Sequence, residues 1–156
     1  MSIQLRFAQK KDIPFINKLT QEMHNHLGQL VGIHFSKDEL KDEHVGLSEL
    51  AGIIVAEDNK SKQVVGYVSF STKPKKDEWY GKHIYLFEFA VQKKFRGKGI
   101  GKKLISAVIM YCKKKKVNIK IDTLCKNKKI ISFYKELGFK PFMTYFILEN
   151  KKRLRL

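Results

Sequence analysis

The chain has 156 residues, 43% of them hydrophobic and 30% charged, and its 32 Lys+Arg against 15 Asp+Glu leave a formal net charge of +17. Such a length is expected to fold as one domain over 1–156 and to bury roughly 68–70% of its unfolded surface, which excludes a disordered basic tail. No apolar run approaches the ~18 residues that span a bilayer. The opening MSIQLRFAQKKD lacks the apolar stretch of a leader, and two cysteines, Cys112 and Cys125, make no disulfide framework. The expected compartment is the cytoplasm, with no membrane partner. The lysine excess attracts polyanions, so either nucleic acid or a small anionic ligand is a candidate partner.

In chain order, the alternation of Ile3, Leu5 and Phe7 predicts a first strand. Asp12 reads as an N-cap and Pro14 as a first-turn residue of the helix behind it, whose apolar stripe is Ile13, Ile16, Leu19, Met23 and Leu27. Ser36-Lys-Asp-Glu39 has capping-box form and predicts a short second helix towards Leu50. Strands Ile53–Glu57 and Val64–Ser71 follow, joined as a hairpin by the polar tip 58–63. Lys73–Gly81 reads as a polar loop. Ile84–Val91, nearly all apolar but for Glu88, predicts a strand covered on both faces and central in its sheet.

A helix with Leu104, Ile105, Val108, Tyr111 and Cys112 on one side comes next, and Lys113–Lys116 suit its C-terminus. Ile119–Leu124 predicts a strand, Ile130–Leu137 a helix stopped by Gly138, and Pro141–Leu148 a last strand. The basic tail 149–156 is expected to fray. The fold class is therefore α+β with a mixed sheet.

Between the central strand and the long helix runs Lys93–Lys103, KKFRGKGIGKK. A helix N-terminus presents unpaired N–H groups and about half a positive charge, which suits phosphate. Gly97, Gly99 and Gly101 clear the approach, and Arg96 adds a planar fork of donors. A Walker A loop is excluded because Arg96 stands where its first glycine belongs and Lys103 where Ser or Thr belongs. A dinucleotide fingerprint would need glycine at 102, which is Lys102. The bland alternative is a tight turn with solvated lysines.

The run Val91-Gln-Lys-Lys-Phe-Arg96-Gly-Lys-Gly-Ile-Gly101 resembles the pyrophosphate loop of the GCN5-related N-acetyltransferases, of the form (R/Q)-x-x-G-x-(G/A). Downstream, Asn127 followed by Phe133-Tyr134-Lys-Glu-Leu-Gly138-Phe139 is similar to a second element of that family. The resemblance implies a three-layer fold with a mostly antiparallel central sheet of six to seven strands and about four helices. It also implies an enzyme that moves an acetyl group from acetyl-CoA, its co-substrate, directly to a primary amine through a ternary complex, with no metal.

By the same resemblance, the cofactor-binding residues are Arg96, Gly97, Lys98, Gly99, Ile100, Gly101 and Lys102 at the diphosphate, with Asn127 and Tyr134. Phe89, Ala90 and Val91 pair with the pantetheine arm, and the Val91 N–H polarises the thioester carbonyl. Tyr134 matches the general acid that protonates the leaving thiolate. The attacking ammonium must lose a proton, and Glu88 is the candidate base, its burial expected to raise its pKa. A structural pairing of Glu88 with a lysine or tyrosine is the competing reading, and His83 is a weaker candidate. Asn127 reads equally as the cap of the helix from Lys128, and Phe133 and Leu137 as its core residues, with Tyr134 on a neighbouring face. His24 and His26 point apart on their helix and suggest no metal site.

The stretch Trp79–Val91 is similar to diamine (spermidine/spermine) acetyltransferases, but Phe87 stands where those enzymes carry the first of two adjacent acids. The +17 charge also opposes a polycationic acceptor, unless Glu22, Asp38, Glu39, Asp42 and Glu43 make a local acidic pocket. Small amines, polyamine-like metabolites and protein amino groups stay open. A homodimer is expected from relatives. Two rivals belong to other classes: a basic nucleic-acid-binding module, which would need a groove-entering helix or stacked aromatics, and a non-catalytic CoA-binding scaffold, which the presence of Tyr134 opposes.

Overall fold

Ile3–Phe7 forms β1, and a single 3-10 turn, Lys10–Asp12, leads into α1 (Ile13–Val31). The structure, a computed structural model, describes residues 2–34 and 52–147. The helix expected from Ser36, the acids Asp38, Glu39, Asp42 and Glu43, and the tail 149–156 lie outside the described residues. The remaining elements are β2 (Ile53–Asp58), β3 (Val64–Phe70), β4 (Lys75–Asp77), β5 (Gly81–Val91), α2 (Ile100–Lys115), β6 (Asn118–Lys120) and α3 (Lys128–Glu136). The chain divides into two compact units, Met1–Thr20 with Glu43–Asp122, and Gln21–Asp42 with Thr123–Leu156.

In the first unit the sheet runs β1-β2-β3-β5-β4 with antiparallel neighbours, and β6 lies parallel to β5. Its two faces carry different helices. Leu104, Ile105, Val108 and Cys112 of α2 are buried, and the ring of Phe70 meets Tyr111 of the same helix at 5.3 Å. Opposite, Ile16, Leu19 and Thr20 of α1 are buried, and Thr20 bonds Tyr67. Gly66 on β3 leaves room for the neighbouring strand β5. A Cβ there would lie 2.8 Å from the Ala90 carbonyl oxygen and 3.2 Å from a Val91 methyl.

Several expectations are corrected. Asp12 does not cap α1. It closes the turn before it, accepting from Gln9 N–H at 2.8 Å and pairing with Arg6 at 2.7 Å, because a guanidinium on β1 is a stronger partner than helix amides. Lys73–Gly81 is not wholly loop, since Lys75–Asp77 pairs with β5 as β4. The strand expected at Ile119–Leu124 is only Asn118–Lys120. It accompanies β5 over His83–Tyr85 and then leaves the ladder, with the Asp122 carboxylate held by the Tyr85 hydroxyl at 2.6 Å. Residues 141–147 take no part in the sheet. Phe142, Met143, Tyr145, Phe146 and Ile147 are exposed, so alternation there had no sheet face to read.

β5 is central as expected but not covered throughout, since Phe87 is 58% exposed. The pairing explains why. Ser69 opposes Glu88 while Phe70 opposes Leu86, so Phe87 is an extra residue, a β-bulge. Ahead of it, Leu86 shares a face with Phe70 and α2. Beyond it the parity has flipped, and Glu88 falls on the face of Ser69 and Tyr67, towards α1.

Candidate active site

Glycine-directed geometry builds the first part of the site. Gly97 and Gly99 have φ of +75° and +76°, in the left-handed region that β-carbons disfavour. Gly99 is the N-cap of α2, and Lys103 N–H returns to its carbonyl at 3.1 Å. A Cβ at either glycine would meet nothing within 4 Å. The glycines therefore serve the turn itself and leave open space above a helix N-terminus. The first turn of α2 carries no acidic residue that would compete with an anion. Open space over unpaired backbone donors with no competing acid suits an anion such as a diphosphate.

The cradle is fastened to β5. Arg96 Nε donates to the Val91 carbonyl oxygen at 2.9 Å. Gln92 N–H donates to Val65 on β3, so by strand alternation the N–H and carbonyl of Val91 face away from β3. The Val91 side chain lies on the α2 face, near Gly66 and Leu104. Residues 89–91 and 96–102 are thus brought together as one continuous piece. Arg96 lies exposed, with the root of its guanidinium spent on the strand and the outer nitrogens beyond it.

Glu88 sits on the other face. Its Oε1 accepts from Tyr67 at 2.6 Å, and Thr20 Oγ1 lies 2.6 Å from the Tyr67 oxygen and 3.2 Å from Oε1. Tyr67 has one hydroxyl hydrogen, and the 2.6 Å bond assigns it to the carboxylate. The 2.6 Å contact then has Thr20 donating to the tyrosine oxygen. Glu88 is half-buried, while Thr20 and Tyr67 are buried. The expected alternative of a tyrosine partner is thereby present in the structure. Sequence reasoning missed Thr20 and Tyr67 as that partner pair, because each reads as an ordinary core position of an amphipathic helix or apolar strand. His83 is buried, with Nδ1 3.1 Å from the Gly81 carbonyl oxygen and its ring edge-on to Tyr80 at 5.6 Å, a structural setting.

In the second unit, Asn127 caps α3, its Oδ1 accepting from Ile130 N–H at 3.3 Å. Gly138, at φ +90°, ends the helix and turns Phe139 back so that its N–H reaches the Tyr134 carbonyl at 3.0 Å. The Tyr134 ring then lies between Phe133 at 5.9 Å and Phe139 at 5.7 Å. Tyr134 is the buried residue of this helix, and Phe133 and Leu137 are only half-buried, the reverse of the expected order. Burial pushes the Tyr134 phenol above its ordinary value, so it holds its proton throughout the neutral range.

The chain belongs to the acetyltransferase (GNAT) family, whose model matches residues 17–139, and is an acyl-CoA-dependent N-acetyltransferase. Similar characterised proteins include a thialysine N-ε-acetyltransferase of Bos taurus, 28% identical over 147 residues, covering 87% of this chain and 83% of the relative. The enzyme of the same name from Mus musculus is 27% identical over 148 residues, with 88% and 84% covered. Among solved structures, a mutant protein from Bacillus halodurans matches with a TM-score of 0.77 at 21% identity, over 96% of this chain and 99% of its own. An aminoglycoside N-acetyltransferase in complex with CoA matches at 0.68 and 19% identity, over 97% and 96%. These two structures bear on the fold. No helix among the described residues is long and apolar enough to cross a membrane.

Proposed function

We propose that the protein transfers the acetyl group of acetyl-CoA directly to a small primary amine in a ternary complex. The observation that carries this reading is the open glycine bend at the start of α2, anchored by Arg96 to the last residue of β5. That arrangement fixes a diphosphate cradle relative to one outward-facing backbone amide.

Bound acetyl-CoA supplies an activated thioester. The chain supplies the rest. Backbone N–H groups of 97–102 and the outer nitrogens of Arg96 hold the diphosphate. Phe89, Ala90 and Val91 align the pantetheine arm, and the Val91 N–H hydrogen-bonds the acyl oxygen as charge develops on it. Glu88 takes a proton from the incoming ammonium, whose ordinary pKa of ~10.4 keeps it charged at neutrality. The amine nitrogen bonds to the acyl carbon, the carbon–sulfur bond breaks, and Tyr134 gives its proton to the departing sulfur. The second proton shed by the nitrogen as it becomes an amide restores the phenol, and the one on Glu88 passes to solvent. Because burial holds that phenol protonated, it stands ready as an acid. The thialysine named in the relatives' activity is a small primary amine, which favours that acceptor class over a protein substrate.

A thermal-shift comparison of acetyl-CoA, NAD, ATP and duplex DNA tests the reading. Acetyl-CoA is expected to raise Tm most. Stabilisation by DNA without stabilisation by acetyl-CoA would mean that the lysines serve a nucleic-acid backbone instead.

A further inference from the structure

The bulge in β5 does more than reverse the side chains behind it. Phe87, the extra residue, opposes Ser69 together with Glu88, so both project on one face. The ring contact of Phe87 with Tyr85, at 5.3 Å, places Tyr85 on that face too. The result is an aromatic strip ending in a carboxylate, and Phe87 is its exposed member.

We propose that Phe87 is a specificity-determining wall of the acceptor subsite. Its ring packs against the carbon stem and ammonium of a primary alkylamine carrying one positive charge. The inference rests on the reading of Glu88 as the group that receives the ammonium proton. An aromatic face is negative at its centre and attracts an ammonium within about 6 Å. The same strip already holds one. Lys120 Nζ lies 5.8 Å from the Tyr85 ring centre and 5.0 Å from that of Tyr80. A second ammonium reaching along the strip would approach Lys120, whose charge is only partly offset there by the Asp122 carboxylate already held by the Tyr85 hydroxyl at 2.6 Å, in a molecule whose net charge of +17 repels polycations.

Calorimetric titration of the full chain with n-hexylammonium and with doubly charged 1,6-diaminohexane tests this, using wild type, Phe87→Ala and Phe87→Leu. Wild type is expected to bind hexylammonium several-fold tighter than the diamine. Phe87→Ala should weaken hexylammonium by about tenfold, losing both stem contact and ring, and Phe87→Leu by about threefold, losing only the ring. With acetyl-CoA present, the hexylamine KM should rise in both variants while kcat and the affinity for acetyl-CoA hold. Equal hexylammonium affinity in Phe87→Ala and wild type overturns the proposal. So does a wild-type preference for the diamine, or no wild-type binding of hexylammonium. Phe87-dependent amine binding in a chain that fails to bind acetyl-CoA would instead sink the transferase reading and leave the wall standing.

Discussion

Arg96 Nε and the Val91 carbonyl oxygen lie 2.9 Å apart, and this single bond joins the glycine bend to the end of β5. Removing it separates two parts that the proposed mechanism needs in register. Arg96→Ala should raise the Kd for acetyl-CoA about tenfold or more, as expected for loss of charge-assisted bonds. Arg96→Lys should recover only part of it, having the charge without the planar fork. Calorimetry with CoA reads both variants, and undiminished affinity in the alanine variant would show that the cradle stands without Arg96.

Tyr134→Phe is expected to lower kcat by about a hundredfold or more while leaving acetyl-CoA affinity nearly intact. The raised pKa fixes the sign of the pH behaviour. A phenol shifted upward stays protonated through its ordinary value of ~10, so it should produce no alkaline loss of kcat below that pH. An alkaline limb centred near pH 8 in wild type and absent from Tyr134→Phe would contradict the assignment.

For Glu88, replacement by Gln should reduce kcat about a hundredfold with little change in CoA binding. Tyr67→Phe removes the donor to Oε1 and should lower kcat by a smaller factor. In the Glu88→Gln background the Tyr67→Phe effect on kcat should vanish, because tyrosine acts through the carboxylate. Additive losses in the double variant would assign Tyr67 to packing alone.

Much of the fold was legible because strand alternation and helical stripes report burial directly, as at Ile3, Leu5 and the α2 face of Leu104 and Val108. Gly97 and Gly99 were legible as a bend because only glycine takes those φ values without strain. The face on which Glu88 lies was not. It depends on a one-residue mismatch between β3 and β5, and such a mismatch exists only once two distant segments pair. The partnership of Thr20 with Tyr67 has the same origin, with 47 residues between them. Residues 141–147 were misread because alternating apolar residues describe a strand's faces but cannot supply its neighbour.

Acid should unfold the first unit by a traceable route. Arg6 bridges Asp12 and Glu57 at 2.7 Å each. Burial alone would raise the Asp12 pKa, but the hydrogen bonds from Arg6 and Gln9 N–H outweigh it and leave a net depression. A carboxyl depressed in the fold stabilises above its unfolded value of ~3.9 and loses that contribution as pH falls below it. Asp12→Ala should therefore cost about 2 kcal/mol at pH 7, and the difference from wild type should shrink below pH 4 in urea melts. A pH-independent difference would place the loss in packing.

Gly66→Ala offers a separate check on the seam between β3 and β5. The new methyl would press on the Ala90 carbonyl and the Val91 side chain, so stability should fall by about 1–3 kcal/mol and CoA affinity with it. A stable variant with unaltered affinity would show that β5 yields without consequence.

The bulge at Phe87 also makes strand length a chemical variable. Deleting that one residue would restore regular pairing, Leu86 with Phe70 and Glu88 with Ser69, so the acid would keep its face while the exposed ring disappeared. A homologue shortened by one residue at this point would thus keep both its glycine bend and its carboxylate and lose only the proposed wall of the acceptor subsite.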